Sequence, residues 1–285
     1  MQNKGFDLSI GHQGDKWNAS IQGSHYKNEI LQIDGVQNFF YGPVTTRFGN
    51  QTINKLGQPM GAFYGYVADG LFQTDAAAAA SGQPGAKMGR IKFRDVNGDG
   101  KITADDRTII GSPHPKFTGS LDLGYRYGNF DISSTVFGTF GNDIFDNQKE
   151  WYIFREFNTN VRKDLLANSW TPSNPNAKYP AIDISDTYSS AISSFYVEDG
   201  SYVRVRNVQL GYNVPSTLSR WLSATRVYVQ AENLFTITGY SGLDPSLPAA
   251  DITGAGGNTS DQYRGIDRGA YPSSRTFSVG ITASF

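Results

Sequence analysis

Residues 275–285 read RTFSVGITASF and form the clearest β-strand pattern in the chain. Apolar residues occupy every second position: Phe277, Val279, Ile281, Ala283 and Phe285. Small or polar residues fill the positions between them: Thr276, Ser278, Gly280, Thr282 and Ser284. Because side chains alternate between the two faces of a strand, this pattern predicts a strand with one apolar and one polar face.

Three pairs of alternating stretches precede the final strand. The first pair flanks a turn at residues 14–15, and the second flanks a two-residue turn at 128–129. The third pair runs near residues 200–214 and 225–237. Short turns between alternating stretches indicate β-hairpins. Together with the last strand, these pairs predict an all-β fold with about seven antiparallel strands.

The connections between these strands alternate in length. Short connections at 14–15, 128–129 and 215–224 alternate with long ones at about 27–115, 141–199 and 238–272. Long connections are rare in a compact sandwich, whereas short turns at one end and long loops at the other are typical of an outer-membrane barrel. We therefore predict a segment of an antiparallel transmembrane β-barrel, with the long connections as extracellular loops. Strand-like pieces within 27–115 belong to these loops, and residues 145–168 are expected to be helical.

Composition excludes several classes of function. The 285 residues carry a formal net charge of −1, so no basic surface for nucleic acid is expected. The absence of cysteine removes disulfides, thiol catalysis and zinc-thiolate sites. No run approaches the roughly 18 apolar residues of a membrane helix, but transmembrane strands leave a much weaker signal. The first residues, MQNKGFDLSI, do not resemble a signal peptide.

The segment DVNGDGKITADD at residues 95–106 has the spacing of a calcium-binding loop. Its oxygen donors would be Asp95, Asn97, Asp99, the backbone carbonyl of Lys101, and Asp106. Ca²⁺ prefers hard oxygen ligands at this spacing. However, Asp106 is shorter than the usual Glu, and the flanking residues have the pattern of strands. The segment therefore predicts either a structural Ca²⁺ site or a metal-free turn whose side chains bind the backbone.

The sequence gives little indication of a catalytic site. The histidines His12, His25 and His114 are scattered and lack a Ser/Asp partner motif. Asp186, Glu198 and Asp199 are expected to be solvated loop charges. We predict no enzymatic activity and no required cofactor. Several aromatic residues lie in the long loops, where they would pack within the loops, stack on sugar rings or pack against a lid. They are Phe39, Phe40, Tyr41, Trp151, Tyr152, Tyr188 and Tyr263.

Several stretches in combination resemble the C-terminal part of the SusC/RagA family of TonB-dependent outer-membrane transporters. They include GAFYGYVADGLFQ, the calcium-like loop with its flanks, SSFYVEDGSYVRVRNVQLGYNVP, AENLFTITGYSGLDP, and the final GIDRGAYPSSRTFSVGITASF. They lie at residues 61–73, 90–133, 193–215, 231–245 and 265–285. Together they cover most of the chain in the order of the family.

The resemblance implies a 22-stranded barrel around an N-terminal plug, in the outer membrane of a Gram-negative, Bacteroidetes-like cell. It implies import of oligosaccharides or peptides, energy supplied through TonB, and a SusD-like surface lipoprotein as a lid. Residues 1–285 would be the C-terminal portion of the barrel, with the signal peptide and the plug absent. The final alternating strand, ending in Phe285, resembles the signal read by the barrel-assembly machinery.

The strand pattern alone leaves a second interpretation open. Alternating strands also build soluble proteins, so the chain would then be a secreted β-sandwich or carbohydrate-binding module with a structural calcium loop. The two interpretations differ in the apolar faces of the 116–140 hairpin and the 276–285 strand. The membrane interpretation requires those faces to form one exposed band, whereas a sandwich requires them to pack against a second sheet.

Overall fold

The computed structural model describes residues 1–42, 49–154, 160–215, 224–247 and 263–284. The strands in these ranges are β1 (Gln2–Gln13), β2 (Trp17–Glu29), β3 (Phe39–Tyr41), β4 (Thr52–Lys55), β5 (Ala62–Gly65), β6 (Ala68–Leu71), β7 (Ile91–Phe93), β8 (Thr108–Gly111), β9 (Phe117–Tyr127), β10 (Phe130–Phe140), β11 (Asp143–Asp146), β12 (Val197–Asp199), β13 (Tyr202–Val214), β14 (Ala224–Thr238), β15 (Ile266–Asp267) and β16 (Thr276–Ser284). The helices are α1 (Asp75–Ala79), α2 (Lys149–Tyr152) and α3 (Leu165–Asn168), with 3₁₀ turns at Ala104–Asp106 and Ser194–Tyr196.

The seven long strands form one sheet, which we call the wall sheet. Its order is β1-β2-β9-β10-β13-β14-β16, so each strand lies beside the next long strand in the chain. Every neighbouring pair is antiparallel. The tight turn between β9 and β10 contains Gly128 at φ +57°, a backbone conformation that glycine adopts without strain. The predicted number of wall strands and their antiparallel arrangement are confirmed.

One face of the wall sheet, the outward face, is apolar from edge to edge. The register places Ile21 between Ile10 and Leu121, and places Val229 beside Val279. These side chains are exposed: Ile10 at 59%, Ile21 at 54% and Val279 at 76%. A sandwich would bury such a face, because covering apolar area is its main source of stability. Within the described residues no second sheet covers it, so the β-sandwich interpretation is not favoured.

Aromatic side chains lie near the short-turn end of the outward face. They are Trp17, Tyr125, Tyr127, Phe130 and Tyr212. The rings of Phe130 and Tyr212 lie 4.8 Å apart on neighbouring strands. Farther from the short turns, the register aligns Ile21, Leu121 and Val136 in one aliphatic row. Membrane barrels place aromatic residues at the water interface and aliphatic ones beside the hydrocarbon, which is the arrangement found here.

The buried core lies in the long connections and not on the wall sheet. The largest cluster contains Phe63 from the first connection, Phe145, Ile192 and Tyr196 from the second, and Tyr263 and Ile266 from the third. The rings of Phe145 and Tyr196 stack 5.1 Å apart at an interplanar angle of 4°. The three long connections therefore pack into one unit, which we call the loop block, at one end of the wall sheet.

Short strands organise the loop block. One four-stranded sheet has the order β3-β4-β5-β8, and β6 pairs with β7. A third sheet, β12-β11-β15, contains a parallel β11–β15 pair that joins the second and third connections. The strand-like pieces of the first connection thus form sheets of their own and do not join the wall sheet.

The helical prediction for residues 145–168 is wrong in its extent. Its first residues belong to β11, and only the four-residue helices α2 and α3 follow in the described part. Tertiary pairing of β11 with β12 and β15 overrides the local helical preference. The helix α1, capped by the Thr74 side chain, was not predicted although its alanine run favours it. None of the helices in the described ranges has the length and apolarity needed to cross a membrane.

Candidate functional site

The inner face of the wall sheet, opposite the outward face, carries small and polar side chains. Asp122 on β9 lies at its centre. The hydroxyl of Ser20 on β2 donates to Asp122 Oδ2 at 3.2 Å, and that of Thr135 on β10 donates to Oδ1 at 2.7 Å. The Asp122 carboxylate therefore accepts hydrogen bonds from both neighbouring strands. Such a face is compatible with water and polar solutes, as expected for a barrel interior.

A second polar network crosses β10, β13 and β14 near the short-turn end. Arg226 Nε donates to Asp131 Oδ1 at 3.0 Å, and a terminal guanidinium nitrogen donates to Gln209 Oε1 at 2.8 Å. Gln209 Nε2 in turn donates to Gln230 Oε1 at 3.0 Å. The arginine and the carboxylate are brought together from strands that are distant in sequence, which periodicity cannot reveal. The inner face therefore offers a hydrogen-bonding surface across five of the wall strands.

The third long connection is anchored to the inner face by Arg204 of β13. Its Nε donates to Thr236 Oγ1 at 2.7 Å, and its guanidinium forms an ion pair with Asp244. Burial raises the pKa of Asp244, but amide hydrogen bonds from Ser273 and Ser246, with the contact to Arg204, bring that pKa below its usual value. The carboxylate is therefore ionised and holds the loop block to the wall.

A buried ion pair joins two parts of the second connection, and Glu198 also binds Ser241 of the third. Lys149, whose side chain is 6% exposed, lies 2.7 Å from Glu198, and its Nζ also donates to the Phe195 carbonyl at 2.7 Å. Glu198 accepts from the Ser241 amide at 2.9 Å and from the Ser241 hydroxyl at 2.8 Å. The prediction that Glu198 is a solvated charge is wrong. The prediction also fails for Asp186, whose 7% exposed side chain lies 3.8 Å from an arginine Nε.

Burial and pairing shift the pKa values of Lys149 and Glu198 in opposite directions. Burial lowers the pKa of Lys149 and outweighs the attraction of Glu198. For Glu198, burial raises the pKa, but Lys149 and Ser241 together lower it below its usual value. Burying two charges costs free energy unless each charge stays paired with the other.

Two aspartates lie side by side at the end of the parallel pair β11–β15. Asp146 is the register partner of Asp267. The Tyr152 hydroxyl donates to Asp146, and the Tyr240 hydroxyl donates to Asp267 at 2.6 Å. Burial raises the pKa of Asp146. An open cleft of about 750 Å³ lies against them, lined by Asp146, Gln148, Tyr152, Arg162, Lys163, Asp164, Ser241, Gly242, Leu243, Asp267 and Gly269.

The calcium-like loop lies between β7 and β8, where its side chains bind the backbone. Asp95 accepts from the amides of Gly98 at 2.6 Å and Gly100 at 2.8 Å. Asp106 accepts from the amides of Val96 and Thr103, both at 2.8 Å. Asn97 and Asp99 accept amide hydrogen bonds from within the loop in the same way. These bonds account for the turn without a metal ion.

The predicted metal ligands are thus near one another in one turn. In the described part of the chain, no group of three or more His, Asp or Glu side chains is arranged to hold a metal ion. Carboxylate oxygens retain lone pairs after accepting one N–H, so these bonds do not decide between the two alternatives. Calcium binding by Asp95, Asn97, Asp99, Asp106 and the Lys101 carbonyl stays a prediction.

The final strand β16 lies at one edge of the wall sheet and pairs with β14. Phe277, Val279 and Ile281 are 70–76% exposed on the outward face, and Ala283 is also exposed. Phe285 lies outside the described residues. The role of these five residues as an assembly signal stays a prediction.

Two of the histidines and some of the loop aromatics contact neighbouring groups, while Phe40, Tyr41 and Tyr188 are exposed. His114 Nε2 lies 2.9 Å from the Met60 carbonyl, and the His12 ring stacks on Trp17 at 4.1 Å. Tyr263 is buried in the main core cluster. Phe39 packs edge-on against Tyr41 at 5.5 Å.

Comparison with known proteins identifies relatives along the whole chain. No family model matches it. The TonB-dependent receptor P3 of Formosa agariphila is 32% identical over 302 aligned positions, which cover 100% of this chain and 29% of the relative. The TonB-dependent receptor SusC of Bacteroides thetaiotaomicron is 26% identical over 302 positions, which cover 100% of this chain and 26% of SusC.

Solved structures give the same result. The RagAB peptide transporter matches with a TM-score of 0.75 and 25% identity, over 99% of this chain and 29% of that chain. The RagAB peptide importer in its closed-closed state matches with a TM-score of 0.73 and 25% identity, over 99% and 29%. The chain spans between 26 and 30% of the length of the curated relatives it matches.

Proposed function

Because the chain is homologous over its full length to TonB-dependent receptors of the SusC/RagA type, we propose that it forms part of the barrel wall of an outer-membrane nutrient importer. The chain would supply seven neighbouring wall strands from the C-terminal portion of the barrel. The remaining strands and the plug would come from the rest of the receptor. Its loop block would lie on the extracellular side, since long loops are extracellular in such barrels.

The observation that carries this proposal is the contrast between the two faces of the wall sheet. The outward face is apolar and exposed, while the inner face holds hydrogen-bonded polar groups. In water, covering the apolar outward face would stabilise the sheet. In lipid, the same face is stable when it is exposed to the hydrocarbon. Polar residues inside then line the path of the solute.

The partners follow from the family. SusC and the RagAB complex support a SusD-like lipoprotein that contacts the loop block, and an oligosaccharide or a peptide as the transported solute. TonB would supply energy through the rest of the receptor, and the barrel-assembly machinery would insert the barrel. Transport requires no covalent chemistry on the solute, so we propose no catalytic residue and no required cofactor. The loop at 95–106, with or without Ca²⁺, would stiffen the loop block.

Two experiments test the proposal in the organism that encodes the protein. The complete protein should fractionate with the outer membrane and require detergent for extraction. Deleting its gene should abolish uptake of a fluorescently labelled oligosaccharide or peptide that supports growth of the parent strain, and the intact gene should restore uptake. Recovery of the protein in the soluble fraction, or unchanged growth and uptake on every oligosaccharide and peptide source, would refute the proposal.

A further inference from the structure

A smaller pocket in the loop block lies on the β3-β4-β5-β8 sheet. Its volume is about 330 Å³, and the described residues that line it are Phe39, Ile53, Lys55, Gln58, Tyr64, Arg107, Thr108 and Ile109. The sheet register places Phe39 beside Lys55 and Tyr64 beside Ile109. The pocket walls therefore come from four hydrogen-bonded strands. The Gln58 amide donates to the Lys55 carbonyl at 3.0 Å, which fixes the turn after β4.

The two charged side chains among these lining residues are both cationic. They are Lys55 and Arg107, and no Asp or Glu lines the pocket within the described part of the chain. Burial, followed by the neighbouring Tyr41, raises the pKa of Tyr64, so its hydroxyl stays neutral at physiological pH. Lys55 is exposed, and no ion pair joins its ammonium group to a described carboxylate. Among the described lining residues, the charge of the pocket is thus positive and no carboxylate balances it.

The guanidinium of Arg107 is held in place at this pocket. One terminal nitrogen donates to the Asn50 carbonyl at 2.8 Å, and the guanidinium carbon lies 4.7 Å from the centre of the Tyr64 ring. Its Nε is buried and has no hydrogen-bond partner among the described residues. A buried donor without a partner is uncommon and costs free energy unless an acceptor arrives. The arginine is therefore oriented before any ligand binds.

We propose that this pocket binds a carboxylate group of the transported solute, an inference that rests on the proposed import function. Arg107 and Lys55 would share the carboxylate through charge-assisted hydrogen bonds, which are stronger than neutral ones. Gln58 and Thr108 add neutral hydrogen-bonding groups. Phe39 and the two isoleucines would contact the apolar part of the solute residue that carries the carboxylate. The volume suits one residue of an oligomer, namely an acidic amino acid or a uronic acid.

Calorimetric binding to the purified complete protein tests the inference with two matched pairs of probes. Tetraglutamate is compared with tetraglutamine, and tetragalacturonate with maltotetraose. One acidic probe should bind at least about tenfold more tightly than its neutral counterpart, because a charge-assisted hydrogen bond is worth about one factor of ten. The pair that shows the preference identifies the source of the carboxylate. Raising the salt concentration should reduce the preference.

Substitutions locate the binding at the pocket. Lys55→Gln should reduce the acidic preference about tenfold, and Lys55→Glu should abolish it, because each removes a positive charge next to the carboxylate. Lys92→Gln serves as the matched control, since Lys92 is exposed on β7 of the same connection and does not line the pocket. Lys55 is itself exposed, so its variants are expected to fold, and heat-modifiable migration of the barrel checks this.

Equal binding of the acidic and neutral probes to the unchanged protein would overturn the inference, as would equal effects of Lys55→Gln and Lys92→Gln. Failure of the import proposal would look different. In that case the gene deletion would leave uptake intact, or the protein would not reside in the outer membrane. A protein that imports neutral solutes without an acidic preference would keep its proposed function and lose only this pocket assignment.

Discussion

At the scale of single residues, Asp106 organises the loop at residues 95–106. Its carboxylate accepts amide hydrogen bonds from Thr103 and Val96, both at 2.8 Å, and the side chain is fully buried. The hydrogen bond from Thr103 is the main cause that holds the pKa of Asp106 below its usual value, with burial acting against it. Asp105, next to it, is exposed and provides a natural comparison.

Asp106→Asn should loosen this loop, because an amide offers one acceptor oxygen where the carboxylate offers two. Losing an acceptor for a buried amide costs about 2 kcal/mol of local stability. Hydrogen exchange of the loop amides in the complete protein measures the change. Asp105→Asn should leave exchange unaltered. The same loss in both variants would show that the Asp106 hydrogen bonds do not hold the loop.

The depressed pKa of Asp106 also predicts a pH dependence. A carboxyl whose pKa is lower in the folded loop than in the open loop contributes stability at pH values above its ordinary pKa of 3.8. That contribution is lost as the pH falls through the lower, folded value. Loop protection should therefore weaken on acidification below pH 4 in the unchanged protein, and weaken less in Asp106→Asn. Identical acid profiles would contradict this.

Calcium binding at the same loop gives a separate prediction. If Asp95, Asn97, Asp99 and Asp106 bind Ca²⁺, millimolar CaCl₂ should slow hydrogen exchange of residues 95–106, and Mg²⁺ should do so less because Mg²⁺ demands a tighter octahedral site. Asp99→Asn should weaken the calcium effect. An unchanged exchange pattern with CaCl₂ would favour the metal-free turn.

At the scale of elements, the Lys149–Glu198 pair joins α2 to β12 and, through Ser241, to the third connection. Lys149→Met should destabilise the loop block by about 3–5 kcal/mol, because Glu198 is left as a buried charge without its partner. Thermal unfolding or protease sensitivity of the loop block measures this. The double variant Lys149→Met/Glu198→Gln should recover part of the loss. Lys163→Met, at an exposed lysine, should have little effect, and a similar loss there would refute the assignment.

The strand β16 is the element on which the membrane interpretation depends most. Val279→Arg should reduce barrel stability by about 2–4 kcal/mol if the residue lies near the middle of the bilayer. Ser278→Arg, one residue away on the inner face, should be tolerated better. The two variants are compared by the amount of folded, heat-modifiable barrel in their outer membranes. Equal losses would contradict the assignment of the two faces.

At the scale of the molecule, the wall sheet could be predicted from the sequence and the loop block could not. Alternation such as that of Phe277, Val279 and Ile281 is a local signal with period two, and it determines both the strand and its outward face. In the structure, neighbouring long strands of the chain pair with each other, as is common for consecutive strands. The ends of the long connections differ by a few residues: they are 30–116, 141–201 and 239–275.

The interior of the loop block depends on contacts between distant residues. Arg204 meets Asp244, Lys149 meets Glu198, and Lys55 lies in the same pocket as Arg107. No periodicity links the members of these pairs, because the chain between them is irregular. Isolated charges in loops were therefore assigned to solvent, although some are buried and paired. The spacing of residues 95–106 predicted the turn but did not decide whether it binds a metal.

Contact of the outward face of the wall sheet with lipid can be measured directly. The chain contains no cysteine, so single spin labels can be attached through Ser278→Cys, Val279→Cys, Ile281→Cys and Thr282→Cys in a cysteine-free version of the complete protein in lipid vesicles. Labels at 279 and 281 are expected to collide with oxygen, which concentrates in lipid, and labels at 278 and 282 with a water-soluble nickel reagent. Water accessibility at all four positions, or protection of 279 and 281 from both reagents, would contradict this contact with lipid.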